Sequence, residues 1–483
     1  MQISQVLVAH GLVSADDVNA AVQHQRTNGG RLDQHLVELG YIDEGAIQSV
    51  LSKVPETPRT IRDTGISMNQ LNRLLLKAIF VDGIELPSLM AHRLKLSANL
   101  VIGILRDAVD KRLVENLGPS NVANSTEERF VLTTHGRQSA AEALAQNQYI
   151  GPTPVSLKTY ADQIMRQKMA NERVDRAAVV EAFSDMVVTD HMINKLGPAV
   201  NSSSSILLYG APGNGKTSIA ERLGAIFPDI VYIPYCVEVE GQIIKVFDPS
   251  IHQMIEAEPG AAAIGSIRAE QLDARWVPCR RPVIITGGEL TLEMLDLQFS
   301  TDAKFYEAPL HLKALNGTFI IDDFGRQLVR PTDLLNRWIV PLESRVDYLK
   351  LHTGKSFMVP FDEIVIFSTN MEPDDLMDPA FLRRIPYKLE IPGPTEDNYR
   401  VIFEAVAGKR GVQIQPGVLD YVIEELQVRS GQPLACYQPK FIVEQVFAAC
   451  KFAGEQPVLT RELVAEALTN LFTKTAGMTA AAA

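Results

Sequence analysis

At 483 residues the chain is too long for one hydrophobic core and predicts about two to four domains. Apolar content of 46% with 22% charged residues is ordinary globular composition, and a net charge of −12 argues against a chain coated in nucleic acid, though a local basic face remains open. Four scattered cysteines (Cys236, Cys279, Cys436, Cys450) form no metal-ligand spacing, no basic-then-apolar leader opens the chain, and no apolar run approaches the roughly 18 residues of a membrane span, so reduced core thiols, a cytoplasmic location and no membrane insertion are expected.

Residues 1–54 contain an internal repeat. Leu7-Val8, Gly11 and Leu12-Val13 recur as Leu36-Val37, Gly40 and Tyr41-Ile42. Ser14 and Asp43 stand at the matching N-caps, so each copy predicts two short helices around a glycine turn. This segment resembles the N-terminal domain of type II secretion and type IV pilus ATPases, some of which bind cyclic di-GMP through paired Arg-Leu-Gly motifs. The first copy has Gln2-Ile3-Ser4 there and the second Arg31-Leu32-Asp33, with Lys53 in place of a glutamine. Those departures favour protein docking over cyclic di-GMP.

After a Pro- and Gly-containing linker at 55–69, residues 70–150 change grammar. Helices are predicted at 72–80, at 86–94 and from the N-cap Ser97 to about 113. Strands follow at 113–117 and 129–132, joined by a polar loop, and then a helix near 137–147. This order spells a winged-helix-like α+β domain. Asn99, Arg106, Lys111 and Arg112 could face DNA, but residues 62–137 carry ten Lys/Arg against eight Asp/Glu, too even a balance for a phosphate-binding face. A protein is the favoured partner and DNA the alternative.

Beyond Gly151-Pro152-Thr153-Pro154 a helical lead-in precedes alternating strands and helices over 157–395, an α/β core, and then helices over 396–475, with an alanine-rich tail expected to fray. The apolar run 206–209 ends in Gly210-Ala211-Pro212-Gly213-Asn214-Gly215-Lys216-Thr217-Ser218, a complete phosphate-binding loop followed by a helical pattern. Its glycines let backbone N–H groups approach a polyphosphate, Lys216 would reach the β- and γ-phosphates, and Thr217 would offer its hydroxyl to Mg²⁺. The sequence therefore predicts a nucleoside triphosphate site. Thr318-Phe319-Ile320-Ile321-Asp322-Asp323 supplies the acidic strand such a loop needs. Asp322 would hold Mg²⁺, and Asp323, one methylene shorter than the glutamate usual there, would polarise water.

The strand 364–369 ends at Asn370, and Met371 to Arg384 carries Asp378-Pro379-Ala380-Phe381-Leu382-Arg383-Arg384. Here the chain resembles the AAA+ superfamily of P-loop ATPases. The resemblance implies ATP and Mg²⁺ as ligands and a homo-oligomeric ring, hexameric by the family's habit, acting on a protein client. It makes Asn370 the water-positioning sensor 1 and either Arg383 or Arg384 a finger reaching the next subunit's γ-phosphate. Lys440, in Gln438-Pro439-Lys440, is the counterpart of a lid residue that touches nucleotide, or else a surface lysine. About 105 residues separate Lys216 from Asp322, room for an insertion over 287–310. A second hairpin is predicted over 345–360, after a helix ending at Leu342-Glu343. This pair of insertions is similar to the MoxR-type branch, which implies client contact at Leu290–Phe305 and Tyr348–Phe357.

Overall fold

The computed structural model describes residues 3–119, 127–255 and 272–471. Most of the polar loop expected within the second module, and the alanine-rich tail, lie outside them. Five apolar runs form one parallel sheet: β1 (Ile206–Tyr209), β2 (Val283–Thr286), β3 (Thr318–Ile321), β4 (Ile364–Thr369) and β5 (Tyr387–Glu390). Their spatial order is β5-β1-β4-β3-β2. Every residue of β3 and β4 is buried, as expected of strands covered on both faces, which is why their sequences read as unbroken hydrophobic runs. Because β1 lies between β4 and β5 while the chain passes from β1 to the far edge at β2, a crevice opens at the carboxyl end of β1. Ligands of open α/β sheets bind at such a switch point.

The largest insertion lies earlier than expected. Between the helix Lys216–Gly224 and β2, the strand Ile230–Pro234 pairs antiparallel with Trp276–Arg280. The hairpin of Cys236–Val239 and Gln242–Lys245 builds a second sheet with Val155–Ser156 on one side, and with Tyr306–Glu307 and then Gln298–Phe299 on the other. The segment 287–310 adds only its two short strands and a helical turn, Leu292–Leu295. The second hairpin, Val346–Lys350 with Ser356–Pro360, is where the sequence places it.

Residues 3–54 form helices Ile3–Ala9, Ala15–Asn28, Leu32–Glu38 and Glu44–Leu51. Ser14 caps the second helix in a reciprocal box with Asp17, and the Asp43 carboxylate accepts from the Gly45 N–H. The repeat is docked rather than tethered. Leu7, Leu36 and Ile47 share a core with Val231, Tyr232 and Trp276 of the inserted strands. Beneath that contact Lys53 donates to Glu172 and, at 3.4 Å, to Asp229, which also takes two 2.7 Å bonds from Arg281. Burial would raise the Asp229 carboxyl, but the Arg281 bonds and the Lys53 charge hold it below the usual carboxylate range. Lys53 is thus an ion that locks the repeat to the body.

The following segment folds as helices Met68–Asp82, Pro87–Leu94 and Ala98–Asp110, an antiparallel pair Val114–Pro119 with Glu128–Leu132, and helix Thr134–Gln146. Its core of Leu75, Met90, Val101 and Ile104 takes in Cys236 of the inserted sheet. After β5, helices Glu396–Arg410, Val418–Glu424, Tyr437–Ala453 and Arg461–Leu471 pack around Tyr399, Phe403, Leu426 and Ile442.

Candidate active site

The loop 210–215 joins β1 to the helix Lys216–Gly224. Gly213 and Gly215 have φ of +80° and +82°, which a glycine adopts without Cβ strain. Positive-φ residues of this kind beside a helix N-terminus help turn backbone N–H groups into an anion-binding concavity. Lys216 is buried, and its Nζ donates to the carbonyls of Gly210 and Ala211, each at 2.9 Å, and to Asn370 Oδ1 at 2.7 Å. Burial lowers the ammonium pKa, against the opposing charges of Asp322 and Asp323.

The adjacency of β3 and β4 delivers the remaining groups, since Ile321 is paired with Phe367. Asp322 follows β3, and its Oδ2 accepts from Thr217 Oγ1 at 2.8 Å. Asn370 follows β4, and its Nδ2 donates to Asp323 Oδ1 at 2.9 Å. Asp323 has φ of +48°, a left-handed conformation unusual for a residue with a Cβ and concentrated at functional sites. Gln327 braces it by donating to the carbonyls of Asp322 (2.8 Å) and Asp323 (3.2 Å). Asn370 thereby links the phosphate-loop lysine to the second aspartate through one amide.

Residues 212–218, Asp322, Asp323 and Asn370 line a single cavity of about 740 Å³, within the range of small-molecule sites. Gly210 stands outside the lining and contributes its carbonyl to Lys216. The apolar end is walled by Met186, Val188 and Met192 on one side and Ile391, Ile402 and Val406 on the other. One end can hold phosphates and the other a flat base. Thr217 and Asp322 present a hydroxyl and a carboxylate, hard oxygen donors suited to Mg²⁺ beside phosphate, next to the positive-φ glycines Gly213 and Gly215 at the helix N-terminus. The residues present therefore fit a magnesium-bound triphosphate.

Three residues singled out from the sequence lie elsewhere. Lys440 is exposed and does not line the cavity. One turn earlier, Tyr437 does: its N–H donates to Gly213 O at 3.0 Å, and a Cβ on Gly213 would fall 2.3 Å from Tyr437 Cδ1. Arg383 and Arg384 are also absent from the lining. Arg384 is engaged at home, donating to Glu343 at 3.2 Å and to Ala380 O at 2.6 Å. The exposed Arg383 guanidinium makes no hydrogen bond or ion pair among the described residues. Sequence reasoning missed Tyr437, Arg326, Lys409 and the apolar residues Met186, Val187, Val188 and Met192. Pro439, near a helix start, was the available signal that Tyr437 sits at a helix N-terminus.

Residues 395–470 match the family described as a domain of unknown function, DUF8689. No curated protein matches the chain. Among solved structures, the Thermotoga maritima RuvB Holliday junction branch migration motor is similar at 13% identity and a TM-score of 0.34, over 59% of this chain and 70% of that one. NtrX from Brucella abortus is similar at 12% identity and a TM-score of 0.38, over 71% and 68%. Domain III of the Thermotoga maritima replication initiation protein DnaA reaches 11% identity and a TM-score of 0.33, over 60% and 95%. No helix among the described residues is long and apolar enough to cross a membrane.

Proposed function

We propose that this chain is an AAA+ ATPase of the MoxR-like type, acting as a homo-oligomeric ring that couples ATP hydrolysis to remodelling of a protein client. One observation carries the reading: Lys216, the Thr217–Asp322 pair and the Asp323–Asn370 pair converge on one cavity at the carboxyl end of the parallel sheet. The strand order and the helical segment after β5 support the family reading as core and lid.

The chain's residues divide the chemistry as follows. Lys216 exchanges its loop carbonyls for the β- and γ-phosphate oxygens of ATP. Thr217 and Asp322 hold Mg²⁺, which when bound neutralises phosphate charge. Asp323 accepts the proton of the attacking water, its orientation held by the Asn370 amide. Tyr437 couples the lid to the phosphate loop. Arg383, exposed and without a side-chain partner among the described residues, supplies positive charge to the neighbouring subunit's γ-phosphate, while Arg384 positions the segment through Glu343.

The N-terminal repeat and the winged-helix-like module serve as docking surfaces. A protein partner is favoured over DNA because Asp107 takes a 2.7 Å bond from Lys111, neutralising a cation that DNA would need. Client contact is assigned to the second hairpin, where Tyr348 and Met358 pair across the ladder and are 59% and 51% exposed. The first is engaged within the chain: Phe299 stacks on His352 at 4.1 Å and Lys304 donates to Ala145 O at 2.5 Å. The test is ATP turnover by the full chain beside Lys216→Ala and Asp322→Ala. Both variants are expected to fall to background, and turnover that survives Lys216→Ala overturns the proposal.

A further inference from the structure

We propose that His24, His35 and Glu38 form a zinc-binding clip between the two halves of the N-terminal helical repeat, distinct from the nucleotide site. The three side chains come from helices Ala15–Asn28 and Leu32–Glu38, which fold back on each other across Gly29-Gly30. Each offers one ligand atom, and these atoms all lie within 4.8 Å of one another. His24 Nδ1 is 3.1 Å from His35 Nδ1, which is 2.9 Å from Glu38 Oε2. Ligands at the 2.0–2.1 Å bond lengths of tetrahedral zinc are about 3.3 Å apart, so the observed separations need only slight widening.

The hydrogen bonds around the cluster point the same way. His35 Nε2 lies 2.6 Å from the Gly29 carbonyl, which can only accept. Nε2 therefore carries a proton, and Nδ1, 2.9 Å from a carboxylate that also only accepts, is the position where a metal ion would take the place of a second proton. Nδ1 faces a carboxylate oxygen on one side and the Nδ1 of a second imidazole on the other, and that second ring's Nε2 lies 3.0 Å from the Asn28 amide. A single metal ion satisfies all three atoms, and a carbonyl on the far imidazole nitrogen is the usual outer partner of a ligating histidine. Gly30 makes room for this arrangement: its φ is +92°, and a Cβ there would fall 3.3 Å from His35 Nε2. Two imidazoles and a carboxylate suit zinc, with a fourth position left for water or a partner's side chain.

The cluster is not a by-product of the internal repeat. The repeat equivalents of His35 and Glu38 are Val6 and Ala9, and that of His24 is Lys53. The ligand set occurs only at the junction of the copies, where an ion would pin one to the other and stiffen the proposed docking surface.

The experiment titrates Zn²⁺ into chelator-stripped full-length protein with excess Mg²⁺ present, read by competition with a chromophoric chelator. Co²⁺ absorption reports coordination geometry. His24→Gln and Glu38→Gln are compared with wild type because both positions are partly or fully exposed and their loss should spare the core; far-UV circular dichroism checks folding. One zinc per wild-type chain, a tetrahedral cobalt spectrum, and about 10–100-fold weaker binding in both variants are expected. Absence of zinc binding by the wild type, or unchanged affinity in either variant, overturns the assignment.

Discussion

Replacing Asn370 with alanine should slow turnover while leaving ATP affinity nearly intact. In the folded chain the Asn370 amide makes two bonds, accepting from Lys216 at 2.7 Å and donating to Asp323 at 2.9 Å. Lys216 keeps two loop carbonyls after the substitution and exchanges them for phosphate on binding, so ground-state affinity changes little. Asp323 loses its only side-chain donor among the described residues while remaining in a strained, left-handed backbone conformation. A hydrogen bond to a charged group contributes about 1.5–3 kcal/mol, which predicts a fall in kcat of about 10- to 150-fold. Steady-state hydrolysis across ATP concentrations separates the two parameters. A KM that rises by that factor with kcat unchanged would show that Asn370 acts in binding, and the proposed link to water activation would be wrong.

Other consequences follow from single contacts. Gly213→Ala should weaken binding of a fluorescent ATP analogue about tenfold or more, from the left-handed penalty and the clash with Tyr437; Tyr437→Ala should recover part of that loss, and strict additivity would contradict the contact. Arg281→Met leaves Asp229 buried with Lys53 alone, and should lower stability by about 3–5 kcal/mol in denaturant titration; a loss below about 1 kcal/mol would refute the lock. Glu363 is fully buried, neither carboxylate oxygen has a hydrogen-bond partner among the described residues, and burial first, then the Asp347 charge, raise its pKa well above the ordinary value. The folded state therefore binds this proton more tightly than the unfolded chain. The stability it gives is complete below the unfolded pKa of about 4.3 and is lost as pH rises toward the folded value. Glu363→Gln should close that dependence, with its melting temperature gaining on wild type between pH 5 and 8; parallel curves would contradict it.

Much of the site was legible because its chemistry is local. Residues 210–217 are contiguous, and Asp322, Asp323 and Asn370 each end a run of buried strand residues, so hydrophobic pattern located them without contacts. The inserted sheet was not legible, because Cys236–Val239 and Gln242–Lys245 are too short to show a period, and their partners Val155 and Tyr306 are remote in sequence. Tyr437 was missed for a related reason. Its role depends on Gly213, more than 200 positions away, and nothing in the helix Tyr437–Ala453 itself marks that face. The bond between Arg384 and Glu343, on another element, was likewise invisible in the sequence.

The most direct test of the central claim mixes two inactive variants of the full chain, Lys216→Ala and Arg383→Ala, and measures ATP hydrolysis of the assembled mixture. The first lacks a working phosphate loop but keeps its arginine, and the second has the reverse defect. In a ring assembled at random from equal parts, about a quarter of interfaces pair an intact loop with an intact arginine, so turnover near a quarter of the wild-type value is predicted. Activity no higher than the mean of the two variants would contradict a site shared between chains.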